Sequence, residues 1–397
     1  MNDALRTGGD NEPALHDIGA SGEAAHFLLR LPGRTLDAHG CLAMLPTGGT
    51  ATLDSRVRAF FARERRTPAL LVGVLPFEPA GADALYQPRS LADGGAETVA
   101  PASPFSGDIH AEPSAARYAD AVRDALAGMG DREQALRKVV LARTLRVQSR
   151  TTLDPHALVK QLGRDPDAIT YLCPLPVGSD EAPAWLVGAS PELLVSRRGA
   201  EVLSHPLAGS ARRRADPAQD AQAARDLLAS AKDHDEHRYV VEAIVAALRP
   251  YCDHIDAAPQ PTLHATTTLW HLGTRIHATL RDPTTSVATL VAALHPTPAV
   301  CGTPTAVALD RIRALEQVPR GFYAGAVGWM DAQGDGDWYV AIRCARVQGN
   351  QARIHAGAGI VAGSDPASEA AETGAKFGAL LTALGADTAP QLEGGST

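Results

Sequence analysis

The apolar positions of this chain switch between two periods. Spacings of three and four mark helices. Tyr118, Ala121, Val122, Ala125, Leu126 and Met129 follow that spacing, with Gly130 as a fitting stop. Residues 236–248 carry the clearest stripe, through Val240, Val241, Ile244, Ala247 and Leu248. Shorter helices are expected over 57–65, 219–228, 286–294 and 306–315. A last one should run from Asp365, a plausible N-cap before Pro366, to about Leu384. Continuous apolar runs bounded by turn residues mark strands at 25–31, 69–75, 170–173, 185–188 and 193–195, and one opening at Lys138. The Thr-rich run 266–280 reads as strand, and 322–329, 338–344 and 353–356 as a three-strand meander turning at 334–336 and 349–350. Residues 76–115, heavy in Pro, Gly, Ala and Ser, read as a long excursion, and 205–210 as a turn before the basic run Arg212-Arg213-Arg214. Residues 1–22 read as a flexible leader, 386–397 as a flexible tail, and 23–385 as one α/β domain.

The stretch from His355 to Lys376 reads as a strand end, a glycine loop and a helix start. A dinucleotide reading of Gly357-x-Gly359 fails. The next glycine, Gly363, is one residue late, and no room remains for the rest of a βαβ unit. What survives is a set of backbone N–H groups able to face a carboxylate. On the helix that follows, Glu369, Glu372 and Lys376 share one face. Such a stripe is commonly a solvated charged surface. The alternative is a cation held between the two carboxylates.

His234-Asp235-Glu236-His237 lacks the spacing of a zinc motif. Glu236 alone is an ordinary helix N-terminal charge; paired in space with Glu372 it would make an all-oxygen site suited to Mg2+. Lys138 opens an apolar strand, so it is either an edge residue or a desolvated base. Glu192 follows Pro191 between two apolar strands, where burial would raise its pKa and let it act as an acid. Base and acid are expected on neighbouring strands. Arg343, inside Val340-Ala341-Ile342-Arg343-Cys344-Ala345, needs an anion, either a protein carboxylate or a ligand.

Composition narrows the classes. Hydrophobic residues make up 45% of the 397, enough for a sizeable core. A net charge of −8 argues against a nucleic-acid partner. The five scattered cysteines form no metal or disulfide pattern, which suits a reducing cytoplasm. No apolar run suggests a signal peptide or a membrane span.

Taken together, several stretches resemble the chorismate-utilising enzyme family, and among its members the isochorismate synthases of siderophore pathways. They are Lys138-Val139-Val140-Leu141-Ala142-Arg143, Ser190-Pro191-Glu192-Leu193, Pro206-Leu207-Ala208-Gly209-Ser210, and Lys232-Asp233 with Glu236-His237. His295-Pro296-Thr297-Pro298-Ala299-Val300-Cys301-Gly302-Thr303-Pro304, Ile342-Arg343-Cys344-Ala345, Ala356-Gly357-Ala358-Gly359-Ile360 and Glu369-x-x-Glu372-Thr373-Gly374-x-Lys376 complete the set, which spans residues 116–384 in the family's order. The resemblance implies two large, mostly antiparallel sheets packed face to face with helices outside. It implies Lys138 as the base that activates water and Glu192 as the acid that protonates the departing 4-hydroxyl. Mg2+ would be held by Glu236, Glu372 and Glu369, and would in turn hold the ring carboxylate of chorismate. Arg343 and Tyr323 would take the enolpyruvyl carboxylate, assisted by Lys376 and the amides at Gly357 and Gly359. Ala208, Gly209, Ser210, His271, Thr297, Ala299 and Ile342 would complete the substrate site.

Three positions suggest the subfamily. Relatives that add ammonia lack the lysine found here at Lys138. Aminodeoxychorismate synthases carry a lysine nucleophile where this chain has Ala208. Salicylate synthases usually have Thr where this chain has Ala299. The expected activity is therefore Mg2+-dependent conversion of chorismate to isochorismate by a cytoplasmic monomer, with an isochorismatase or lyase downstream. A salicylate synthase is the nearest alternative, a non-catalytic partner of a glutamine amidotransferase a more distant one.

Overall fold

Strand β1 (His26–Leu31) turns directly into β2 (Arg34–Met44), and helix α1 (Leu53–Arg63) leads to β3 (Leu70–Leu75), β4 (Ala84–Ala92) and β5 (Gly107–Glu112). Then come α2 (Ala115–Met129), β6 (Lys138–Ser149), α3 (Pro155–Leu162), β7 (Ile169–Leu175), β8 (Ala184–Ser190), β9 (Leu193–Arg198), β10 (Glu201–His205) and β11 (Leu207–Arg212). Helices α4 (Pro217–Ala229) and α5 (Ala231–Leu248) precede β12 (Cys252–Ala257), β13 (Thr262–Ala265), β14 (Leu269–Gly273), β15 (Ile276–Leu280) and α6 (Val287–Leu294). The chain closes with β16 (Gly302–Thr303), α7 (Thr305–Leu315), β17 (Ala326–Asp331), β18 (Gly336–Val340), β19 (Cys344–Gln348), β20 (Gln351–Val361) and α8 (Pro366–Ala383). This computed structural model describes residues 25–92, 102, 104–129, 136–164 and 169–386. The leader 1–22, the Gly130 stop and the tail beyond 386 lie outside the described residues.

All strand pairs among the described residues are antiparallel. One half of the main network runs β12–β15–β10–β9–β18–β17–β3–β4–β2. The other half runs β1–β7–β8–β19–β20–β6–β5, and β1 joins β2 by a hairpin. The halves face each other across the main core. Val72, Val74, Val195, Val327 and Trp338 come from the first half, and Phe27, Leu29, Tyr171, Cys173, Leu186 and Ile360 from the second. The pleat sends alternate residues of the second half outward. There Leu172, Val187, Ala345 and Ile354 pack under Leu158 and Val159 of α3 and Phe377, Leu380 and Leu381 of α8. A small sheet, β11–β14–β13, lies beside α4 and α5. The two face-packed sheets implied by the resemblance are thus present.

Several local readings need correction. The excursion at 76–115 contains β4 and β5; Pro88 inside β4 and the alternately exposed edge strand β5 disguise them. The turn at 205–210 is the end of β10 and the start of β11, a strand of small residues. The run 266–280 is two strands, broken at Thr274-Arg275 where the chain leaves the small sheet for the large one. The meander is two hairpins, β17–β18 and β19–β20. They are separated at Arg343, whose left-handed backbone (φ 51°) ends the run. The glycine loop is strand: β20 continues through Gly357 and Gly359 to Val361, paired with β6 throughout. Helix α8, by contrast, starts at Pro366 as expected, capped by the Asp365 side chain, which accepts from the Ser368 N–H.

Candidate active site

One cleft gathers residues from both halves of the network. It is lined by Glu192, Ala208, Gly209, Ser210, Glu236, His271, Ala299, Tyr323, Ile342, Arg343, Gly357, Gly359, Glu372 and Lys376, and with its mouth holds about 630 Å3 of empty space. Three of the expected residues stand behind this wall: Lys138, Thr297 and Glu369 are buried and do not line it.

Strand β6 ends its pairing with β20 at Val361↔Lys138, which sets Lys138 beside the α5 carboxylate. Lys138 is fully buried, and its Nζ lies 3.1 Å from Glu236 Oε1. Gly359 makes this approach possible, because a Cβ there would fall 2.0 Å from Glu236 Oε1 and 3.0 Å from Lys138 Cε. Glu192 sits in the break between β8 and β9, where the Ser190 hydroxyl accepts its N–H at 3.2 Å. Burial pushes its carboxyl up to about 8 despite Lys138, the Leu207 N–H, Arg343 and Lys376. Glu192 is therefore protonated at neutral pH and able to donate. Base and acid are not on neighbouring strands as expected. The strands β20 and β19 separate β6 from β8, yet Lys138 is near enough to Glu192 to act on its carboxyl electrostatically.

The carboxylates come from two helices. Ser230 caps α5, accepting from the Asp233 N–H, and the helix sets Lys232 and Glu236 one turn apart. Lys232 Nζ lies 2.9 Å from Glu369 Oε1 and 3.7 Å from Glu236 Oε2. Burial and the neighbouring Glu372 raise the Glu369 carboxyl, and its Oε2 has no hydrogen-bond partner. Burial acts on Glu372 in the same direction, but Lys376 and Lys232 outweigh it and hold its carboxyl below the ordinary value. Glu372 Oε1 takes Lys376 Nζ at 2.6 Å and the Ser210 hydroxyl at 2.9 Å. Three carboxylates, one with an orphaned oxygen, are the donor set of a hard divalent cation. They stand further apart than ligands of one ion, with the Lys232 ammonium among them.

The opposite wall is cationic. Arg343 is buried, and burial lowers it to about 10, still charged at neutral pH. Its Nη2 lies 3.2 Å from His271 Nε2. Burial, Arg343 and Lys376 hold His271 well below its ordinary value, so the neutral ring accepts from the guanidinium. Among the described residues Arg343 has no carboxylate partner within 4.0 Å, which leaves its fork for a ligand anion. Lys376 also donates to the Gly357 carbonyl at 2.8 Å. The Val140 and Ala142 N–H groups are taken by Cys301 O and Glu316 Oε1. Their partners Gly359 and Gly357 therefore sit at non-hydrogen-bonded pairs of the ladder, with N–H groups turned away from β6.

Sequence reasoning gave Lys232 and His355 no role in the site. Lys232 carried a signal, its i, i+4 spacing from Glu236. His355 lines the cleft and stacks on Tyr323 at 4.8 Å; burial lowers it to about 3, so it is neutral. Val140, Pro191, Leu207 and Val300 supply apolar lining that no spacing marks.

A buried acid, a buried amine, an oxygen-donor cluster and a guanidinium with no carboxylate partner among the described residues thus meet at or beside one cleft. The chorismate binding enzyme family model matches residues 87–385, and the chain belongs to that family. It is 39% identical to isochorismate synthase DhbC of Bacillus subtilis, over 95% of this chain and 96% of the relative. It is 35% identical to isochorismate synthase EntC of Escherichia coli K12, over 90% and 94%. The crystal structure of DhbC from Bacillus anthracis superposes with a TM-score of 0.86 at 37% identity, covering 92% of this chain and 97% of that one.

Proposed function

We propose that this protein is an isochorismate synthase, converting chorismate to isochorismate. The observation that carries the reading is the pairing of a protonated, buried Glu192 with a buried Lys138 beside one cleft. Lys138 serves as the base and takes a proton from water as its oxygen bonds to ring carbon 2. The ring double bond shifts, and the carbon 4–oxygen bond breaks as Glu192 protonates the departing hydroxyl. One water enters and one leaves. Each proton transfer is of a kind typically worth about 10²–10⁴-fold. Arg343, with Tyr323 beside it, holds the enolpyruvyl carboxylate, while Lys376 and the Gly357 and Gly359 N–H groups steady the carboxylates of the substrate.

Glu236, Glu369 and Glu372 offer the oxygen donors that Mg2+ takes and would have to draw closer to hold it; when bound it would anchor the ring carboxylate. Lys232 holds those carboxylates together without it and must yield its place on loading. No helix of the described residues is long and apolar enough to cross a membrane. We further propose a cytoplasmic reaction that feeds a siderophore or salicylate route through a downstream isochorismatase or lyase, with the chain acting as a monomer.

Ala299 lines the cleft and carries no hydroxyl, which favours stopping at isochorismate over eliminating pyruvate. Incubation with chorismate and Mg2+ tests this. Isochorismate without stoichiometric pyruvate supports it; salicylate and pyruvate in equal, enzyme-dependent amounts would make the protein a salicylate synthase.

A further inference from the structure

On the β1–β2 hairpin, away from the cleft, His26 pairs directly with His39, and Leu28 with Asp37. Residues two apart on a strand share a face. The ladder thus puts His26, Asp37 and His39 on one side of the sheet, while Phe27, Leu29 and Ala38 are fully buried on the other. His26 Nε2 lies 2.7 Å and His39 Nε2 2.8 Å from the same atom, Asp37 Oδ1. The two imidazoles stack with centroids 4.4 Å apart. Among the described residues this is the one trio of ligand-type side chains whose donor atoms all lie within 4.8 Å of one another.

A fourth group completes the arrangement. His156, in the first turn of α3, places Nε2 3.0 Å from His26 Nδ1 and sets its ring edge-on to Trp185 at 5.3 Å. A metal-binding histidine ordinarily hydrogen-bonds through its other ring nitrogen, which fixes its tautomer and orientation. His26 has that partner in place.

We propose that His26, Asp37 and His39 form a second metal site, for a borderline first-row dication of the Zn2+ kind, with His156 orienting His26. Two imidazoles and one carboxylate are the wrong donors for Mg2+, which prefers oxygen, and suitable ones for Zn2+, Ni2+ or Co2+. The ligands sit on a rigid ladder whose reverse face is core. His39 is 45% exposed through its side chain, so an ion can enter from solvent and keep positions for water. The site ties the hairpin and, through His156, the start of α3. It stands apart from the acidic cluster of α5 and α8, and the two are distinguished by donor type.

The test is Zn2+ titration of the tag-free full chain by calorimetry, with millimolar Mg2+ present to occupy the carboxylates. The wild type should take up one Zn2+. His39→Ala and Asp37→Asn should each abolish that binding, and Glu372→Gln should retain it. His39→Ala alters a half-exposed side chain and should fold, which circular dichroism checks. His156→Ala should keep the stoichiometry and weaken binding about 10–100-fold. Co2+ substitution should give visible d–d bands in the wild type that are absent in His39→Ala. No Zn2+ uptake by the wild type, or unchanged uptake in His39→Ala, would overturn the proposal.

Discussion

Lys138 Nζ and Glu236 Oε1 stand 3.1 Å apart, on a lysine with no exposed surface. One carboxylate therefore faces both the candidate base and the candidate metal position. Lys138→Ala should lower kcat about 10²–10⁴-fold while chorismate still binds, as read by equilibrium titration. A variant turning over at the wild-type rate would remove Lys138 from the chemistry.

Glu192 gives the pH dependence. Its carboxyl sits near 8, well above an ordinary carboxylate, because it is buried. Activity that needs the protonated acid should fall tenfold per pH unit above about 8. Stability follows the same proton. The folded value lies above the unfolded one, so the contribution is complete below the unfolded pKa and is lost as pH rises toward 8. Glu192→Gln should cost about 10²–10⁴-fold in kcat and flatten the decline of denaturation midpoint between pH 5 and 8. A decline of the same slope in the variant would assign that proton elsewhere.

Gly359 tests the close approach. Alanine fits the extended backbone of β20, yet its Cβ would overlap Glu236 Oε1 at 2.0 Å. Gly359→Ala should fold, require at least about tenfold more Mg2+ for half-maximal rate, and lose kcat. Mg2+ dependence identical to wild type would show that Glu236 can move without consequence.

Lys232 stands among the carboxylates assigned to the metal. Lys232→Gln removes the counter-charge of Glu369 and Glu236, so the Mg2+-free protein should melt several degrees lower, with a larger Mg2+-induced rise. An Mg2+-induced shift no larger than in wild type would mean that Lys232 and the ion do not compete.

Much of this site was readable because its chemistry is local. The α8 stripe of Glu369, Glu372 and Lys376 follows from helical spacing, and the buried acid from Pro191-Glu192 between apolar runs. What was not readable depends on long-range pairing. Gly357 and Gly359 look like a loop, and only the ladder with β6 makes them strand. Arg343 interrupts an apolar run through a left-handed backbone that no propensity marks. The β4 and β5 strands were hidden by Pro88 and by the polar face of an edge. The separation of β6 from β8 by two strands is likewise a property of topology.

With Lys138 as base and Glu192 as acid, solvent water enters at ring carbon 2 as the 4-hydroxyl leaves. The direct measurement is the reaction of chorismate with the Mg2+-loaded protein in 18O-labelled water, with early product analysed by mass spectrometry. The expected product is isochorismate carrying one 18O, on the carbon 2 hydroxyl. Unlabelled isochorismate would contradict the chemistry assigned to Lys138 and Glu192, and no isochorismate at all would contradict the function.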